Sequence, residues 1–384
     1  MYKFADLFCG CGGMSLGLID AGFEDTIAAD FWDVAKKNYT SYHKLASSTF
    51  YQTNMFMDNE REELTQAIKE ANIDLLAGGP PCQGFSTLGK REEEDTRNTL
   101  VEAYLQLAIS VKPKMLIMEN VPAIQSMKHS SGKKYPEYAK ELLSNNGYYA
   151  ETVFITGEQV GLAQTRKRLF LIALRKDCVV EIPDFTKTLF DTLARLQPAK
   201  GCSTLRKVIG DLPSLQSGEG ADEMCVAGRT IYNHYVFVYE KNTLKRIEAV
   251  PEKGGLQDIP DSLLSNHLKK MKSGGYGSGG FVKNLYGRLD WDAPSGTVVA
   301  GIKKITCGRF FHPVDNRLLT VREAARLQSF PDDYRFLGGL IDQYTVVGNA
   351  VPPKFSEYIG RLSIRQVRRV QGAWRRVYAA HSRR

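Results

Sequence analysis

Tyr2-Lys3-Phe4-Ala5-Asp6-Leu7-Phe8-Cys9-Gly10-Cys11-Gly12-Gly13-Met14-Ser15-Leu16-Gly17 decides the fold class. An apolar strand over Tyr2 to Phe8 runs into a glycine loop and then a helix. Further short apolar segments follow at Thr26 to Ala29, Ile73 to Ala77 and Met115 to Met118, with helical sequence between them. That alternation predicts a doubly wound α/β sheet, which binds ligands beyond the carboxyl ends of its strands. Ala150 to Ile155 and Leu169 to Leu174 flank a turn-rich stretch and can close the sheet as an antiparallel pair. In the loop, glycine lets the backbone approach a ligand while the helix N-terminus offers unpaired N–H donors. Asp6, Gly10, Gly12 and Gly13 are therefore candidate binders of a small-molecule cofactor. The dinucleotide pattern G-x-G-x-x-G is broken, because Ser15 stands at its third glycine. Asp30 ends the second strand where an acid can take ribose hydroxyls, and Trp32 beside it can stack on an adenine.

The chain has 384 residues, 43% hydrophobic and 24% charged, enough for one sizeable core and a second, smaller domain. The N-terminus lacks the layout of a secretory signal, and charged residues interrupt every apolar run before it reaches spanning length. A cytoplasmic protein without a membrane is expected. The seven cysteines are an odd set without repeated pairs, so reduced thiols and no metal site are expected. The net charge of +8 is concentrated at one end. Between Arg361 and Arg384 there are eight arginines and no acid, and the rest of the chain is neutral. Ile364, Val367, Val370, Trp374, Val377 and Tyr378 share one face at helical spacing, so the tail reads as an amphipathic helix with either a solvated or a phosphate-contacting basic face.

Gly78-Gly79-Pro80-Pro81-Cys82-Gln83-Gly84-Phe85-Ser86 follows the third of these strands. Two prolines fix the approach and set Cys82 at the carboxyl edge of the sheet, which favours a reactive thiol over a buried apolar one. At the end of the next strand, Met118-Glu119-Asn120-Val121-Pro122 brings a carboxyl group to the same edge. A thiolate that adds to a heterocycle and an acid that engages its ring nitrogen form a working pair. Gln164-Thr165-Arg166-Lys167-Arg168 precedes the last strand, and alternation predicts Arg166 and Arg168 on one face, suited to a phosphate or an oxygen gaining negative charge.

Taken in order, these segments resemble the cytosine-5 DNA methyltransferase family over nearly the whole chain outside residues 176 to 285. Arg322-Glu-Ala-Ala-Arg326-Leu-Gln-Ser-Phe-Pro331 and Gly348-Asn349-Ala350-Val351-Pro352 resemble its last two motifs. The resemblance implies an α/β, Rossmann-like S-adenosylmethionine-dependent large domain with a smaller, loop-rich target-recognition domain. The expected boundaries are 1–175 for the catalytic domain, 176–340 for the small domain and 341–384 for the return to the catalytic domain.

It implies catalysis by Cys82, Glu119, Arg166 and Arg168 on a cytosine flipped out of double-stranded DNA. Cys82 attacks C6, Glu119 engages N3 and the exocyclic amine, and Arg168 holds O2. S-adenosyl-L-methionine is the implied cofactor, with S-adenosyl-L-homocysteine as product. Beside Asp6, Gly10, Gly12, Gly13 and Asp30, its implied contacts are Phe8, Phe31 and Trp32, then Asn54, Met55, Pro80 and Leu100, and finally Asn349, Ala350 and Val351. The implied DNA contacts are Gln83, Ser86, Arg97, Gln164, Arg288 and Thr297. Asp30 and Asn54 depart from the family's usual Glu and Asp. A monomer is expected, with a restriction endonuclease of the same specificity as a possible companion. One branch of the family acts on transfer RNA. Its C-F-T tripeptide is absent here, and the roughly 140 residues before Arg322 leave room for a DNA-reading domain.

Overall fold

The computed structural model describes residues 1–43, 49–81, 98–178, 187–189, 191–192, 203–274 and 284–364. The basic tail beyond residue 364 and the glycine-rich stretch 275–283 lie outside the described residues. Contacts divide the chain into two units, one of residues 1–156, 167–199 and 351–384 and another of residues 157–166 and 200–350. These boundaries differ from those read in the sequence. The helix Leu340–Asn349 packs on the 3₁₀ turn Ala300–Lys303 and on the helix Val321–Leu327, so it belongs with the second unit. Segment 157–166 pairs with Ser295 for the same reason.

The first unit holds a seven-stranded sheet: β1 (Tyr2–Leu7), β2 (Phe23–Asp30), β3 (Thr49–Gln52), β4 (Leu75–Gly78), β5 (Met115–Asn120), β6 (Tyr148–Thr156) and β7 (Lys167–Arg175). Their order is β3-β2-β1-β4-β5-β7-β6. The five strands from β3 to β5 are parallel, and β7 joins β5 antiparallel with β6 at the edge. β4 is buried along its whole length, as a strand covered on both faces must be. The sequence reading missed β3, a four-residue edge strand with exposed ends and little apolar signal.

Helices α1 (Gly13–Asp20), α2 (Asp33–Tyr42), α3 (Asp58–Ala71), α4 (Asn98–Val111) and α5 (Tyr135–Asn145) link the strands. Leu7, Leu76, Leu105, Leu116 and Leu171 meet in one apolar core between sheet and helices. Among the described residues no helix is long and apolar enough to cross a membrane.

In the second unit, α6 (Leu205–Ile209), an antiparallel hairpin of β8 (Gly220–Val226) and β9 (Arg229–Tyr235), α7 (Lys241–Glu248) and α8 (Asn266–Lys272) precede β10 (Gly287–Arg288) and its parallel partner β11 (Arg309–Phe311). Then come α9 (Val321–Leu327), opened by a Thr320/Glu323 capping box, and α10 (Leu340–Asn349). Such short elements leave little regular periodicity to read. Arg317 is wholly buried and forms ion pairs with Asp315 at 2.8 Å and Glu323 at 2.7 Å. Burial works against the Glu323 carboxylate, yet Arg317 overrides it and holds the acid down at about 2.

In the first unit the chain returns as a helix over residues 353–364 that packs on α1. A methyl group at Gly17 would overlap the Pro353 carbonyl and the Ser356 hydroxyl. Gly17→Ala is expected to destabilise the protein by about 1–3 kcal/mol, read as a lower urea midpoint. The Glu323 pairing contributes fully above its ordinary pKa of 4.5 and is lost as pH falls toward 2. Stability measured by urea unfolding should therefore drop over that window, and Glu323→Gln should flatten the drop.

Candidate active site

Parallel pairing brings the ends of β1, β4 and β5 to one edge. Leu7 stands against Gly78, and Gly78 against Met118, so Phe8 and Gly79 leave the sheet at the level of Glu119, which β5 still holds against β7. Glu119 is 8% exposed, and its Oε1 lies 2.8 Å from Arg168 Nε on β7, with no hydrogen bond directed along that line. A Cβ on Gly79 would stand 3.5 Å from the other carboxylate oxygen, which puts the loop after β4 directly against the acid. Asn120, also buried, donates from Nδ2 to the Pro80 carbonyl at 3.1 Å, while its Oδ1 accepts the Val121 N–H at 2.8 Å. This side chain ties the acid strand to the backbone two residues before Cys82. The sequence reading did not single it out, although it follows Glu119 directly. Cys82, Gln83, Ser86 and Arg97 themselves lie outside the described residues.

Arg166 corrects the expectation of two arginines at one edge. It precedes β7, is 3% exposed, and donates to the Val298 carbonyl at 2.8 Å and the Ala350 carbonyl at 3.1 Å. A guanidinium spent on buried carbonyls is a structural pin, and here it fixes the course of Asn349 and Ala350. Gln164, expected at DNA, is likewise fully buried. It donates to Leu327 O and Gln328 Oε1 and accepts the Val298 N–H. Arg288, expected near the DNA backbone, is buried and donates to the carbonyls of Ile247, Val250, His312, Val314 and Asp315 and to Asn316 Oδ1. Nothing of it is left for a phosphate. Thr297 is half-buried.

Around the glycine loop, Asp30 receives the Gly10 N–H on Oδ2 and the Trp32 N–H on Oδ1, both at 2.9 Å. The carboxylate thus clamps the loop to β2 and keeps spare lone pairs for a ligand. Burial pushes its pKa up, against these N–H contacts. Phe8 leaves β1 at φ 57°, and Gly10, at φ 54°, has nothing within 4 Å where a Cβ would stand. Phe31 is 68% exposed, whereas Trp32 is half-buried, so the accessible ring beside Asp30 is Phe31.

Gly12 differs from the expectation. Its N–H is spent on the Cys9 carbonyl, and a Cβ there would run into the His43 ring, so its bareness serves internal packing. Gly13, which opens α1, is buried. The Asn54 side-chain Oδ1 already accepts the Phe56 N–H at 3.1 Å. Met55 and Leu100 are buried in the same core as Leu7. Pro80 is buried, Val351 is half-buried 3.9 Å from the position of a Gly79 Cβ, and Asn349 is exposed. Asp6 Oδ1 is buried without a hydrogen-bond partner. Burial pushes the thiol of Cys11 up to about 12 and that of Cys9 well above its ordinary value.

The parallel sheet with its antiparallel β7–β6 edge is the fold of S-adenosylmethionine-dependent methyltransferases. A prophage-encoded protein of E. coli, solved as a candidate DNA modification methyltransferase, matches with a TM-score of 0.72 at 21% identity, covering 96% of this chain and 100% of its own. The S. pombe Dnmt2 methyltransferase matches with a TM-score of 0.61 at 16% identity, covering 94% and 98%. The model of the C-5 cytosine-specific DNA methylase family matches residues 2–365. The Type II methyltransferase M1.HphI of Haemophilus parahaemolyticus is 31% identical, across 93% of this chain and 85% of its own length. The Type II methyltransferase M.DdeI of Desulfomicrobium norvegicum is 29% identical, across 92% and 86%. The chain belongs to the C-5 cytosine-specific DNA methylase family and is an enzyme of the DNA (cytosine-5)-methyltransferase type. Family and fold support S-adenosylmethionine as the methyl donor. The clamped Asp30, the open face of Gly10, the exposed Phe31 ring and the orphaned Asp6 oxygen fit a ligand with ribose, adenine and cationic parts.

Arg288→Lys is expected to cost several kcal/mol of stability, because one ammonium cannot serve six acceptors and the rest are left unpaired. The thermal midpoint should fall sharply, while the salt slope of DNA binding by the folded variant stays as in the wild type. A reduced slope in a variant of normal stability would restore the phosphate role.

Proposed function

We propose that this chain methylates C5 of a cytosine flipped out of double-stranded DNA, with Cys82 as nucleophile, Glu119 as acid and Arg168 as the cation that orients both acid and base. The observation that carries this reading is the pairing of the buried Glu119 with Arg168 at the carboxyl edge of the sheet, against backbone that Asn120 holds just before Cys82. A target inside a duplex is out of reach, so flipping is required, at a cost of a few kcal/mol offset by contacts in the site.

Cys82 adds as a thiolate to C6, and the electron pair moves toward N3 and O2. Glu119 hydrogen-bonds N3 and strengthens that bond as charge develops there. In this reading Arg168 shares its guanidinium between Glu119 and the cytosine O2. The adduct is an enamine whose C5 is nucleophilic. S-adenosylmethionine, when bound, supplies a methyl group on a positively charged sulfur and departs as S-adenosylhomocysteine. Loss of the C5 proton and expulsion of the Cys82 thiolate then restore the aromatic ring. Asp30 and Phe31 are the residues suited to the ribose and adenine of the donor, and Asp6 to its cationic part.

Arg166, Gln164 and Arg288 are left out of this scheme, because each donates to oxygens of the protein interior. Gln83, Ser86, Arg97 and Thr297 remain the proposed DNA contacts. As a monomer in the cytoplasm, the enzyme would serve either a restriction–modification system with a companion endonuclease or methylation on its own.

Duplex DNA carrying 5-fluorocytosine at the target tests substrate and mechanism together. Fluorine cannot leave C5 as a proton, so an adduct dependent on S-adenosylmethionine should survive denaturing electrophoresis and vanish in Cys82→Ser. Glu119→Gln should slow single-turnover transfer about 10²- to 10⁴-fold. Trapping on transfer RNA with none on duplex DNA would overturn the substrate class.

A further inference from the structure

Beneath the glycine loop, four buried or nearly buried side chains form a line of oxygens. Ser15 Oγ on α1 lies 2.6 Å from Asp6 Oδ2 on β1, Tyr39 Oη on α2 lies 3.0 Å from Ser15 Oγ, and Asp25 Oδ2 on β2 lies 2.8 Å from Tyr39 Oη. All three separations are hydrogen-bond distances. Three O–H···O links need three protons, and the two hydroxyls supply only two. A third proton on a carboxyl group at one end completes the line.

We propose that Asp6 carries this proton in the free enzyme, that Ser15 and Tyr39 are positioning residues which hold the neutral acid beneath the glycine loop, and that uptake of the cationic methyl donor expels the proton. The last part rests on the cofactor reading above.

Asp6 is 1% exposed and its Oδ1 has no partner. Among the described residues, the titratable groups around it are Asp25 and Asp30 on β2, Cys9 and Cys11 in the loop, Tyr39 on α2 and Tyr104 on α4. None of these is a cation. His43, 3.7 Å from Asp25, is pushed by burial down to about 4 and so is neutral at physiological pH. Burial raises the Asp6 carboxyl to about 7, against the pull of the Ser15 hydroxyl. If both acids ionise, one of the three contacts is left with facing lone pairs, a penalty that the chain of hydroxyls itself imposes. A bound cation at the loop favours the ionised form and lowers the pKa. The proton then leaves to solvent as the ligand enters, and charge balances without any other reactant.

Infrared spectroscopy of the free protein should show the carbonyl stretch of a protonated carboxylic acid near neutral pH, lost in Asp6→Asn. Calorimetry of S-adenosylmethionine binding in buffers of different ionisation enthalpy should detect release of about one proton near pH 6. Affinity should weaken about tenfold per pH unit below the free-enzyme midpoint. Tyr39→Phe removes the contact left without a proton, so the midpoint should move to lower pH; a merely structural tyrosine would weaken binding equally at every pH.

The proposal is overturned if no band disappears in Asp6→Asn, or if affinity is flat from about pH 6 to about pH 8 with no proton released. The infrared band needs no ligand. A wild-type protein that shows it yet binds no S-adenosylmethionine at any pH supports the shared proton and overturns the cofactor reading.

Discussion

The parallel register of β1, β4 and β5 is the constraint from which the chemistry of the first unit follows. With Leu7, Gly78 and Met118 side by side, Phe8, Gly79 and Glu119 lie at the same edge. The glycine loop, the backbone leading to Cys82 and an acid thereby converge without any contact in sequence. Shifting one strand by a single residue would turn Glu119 to the opposite face of the sheet. Burial of β4 on both faces and the leucine core around it make such a slip costly.

The antiparallel β7 adds what parallel strands cannot. Because it runs against β5, its first residues rather than its last reach the reactive edge, and Arg168 arrives there beside Glu119. A buried acid alone would carry a heavy desolvation cost. The guanidinium offsets it and aims the carboxylate. Asn120 plays the corresponding part for the thiol loop, spending its amide on the Pro80 carbonyl.

Charged groups in the second unit serve a different end. Arg166, Arg288 and Arg317 are all buried, and each donates to carbonyl or carboxylate oxygens of its own unit. Short elements with few ladder hydrogen bonds leave many backbone carbonyls inside, and an arginine can satisfy several at once. A basic residue in such a region is therefore a poor guide to a phosphate. The distinction matters for Gln164-Thr165-Arg166-Lys167-Arg168, whose alternate residues take unlike roles: Gln164 and Arg166 hold the backbone, and Arg168 meets the acid.

The sequence by itself determined the alternating α/β order, the glycine loop, and the placement of Glu119 and Arg168 near strand ends, because periodicity and turn chemistry are local properties. It also determined the family, since the motifs are short, distinctive and in order. Only the tertiary structure decided which polar residues have donors or acceptors to spare. Arg166 and Arg288 look as available as Arg168 in the sequence, and Gly12 as open as Gly10. Whether a guanidinium meets a carbonyl or a bare Cα meets a histidine ring depends on partners 24 to 184 residues away. No local pattern encodes such partners, so hydrogen-bond satisfaction in the interior had to be seen in the fold.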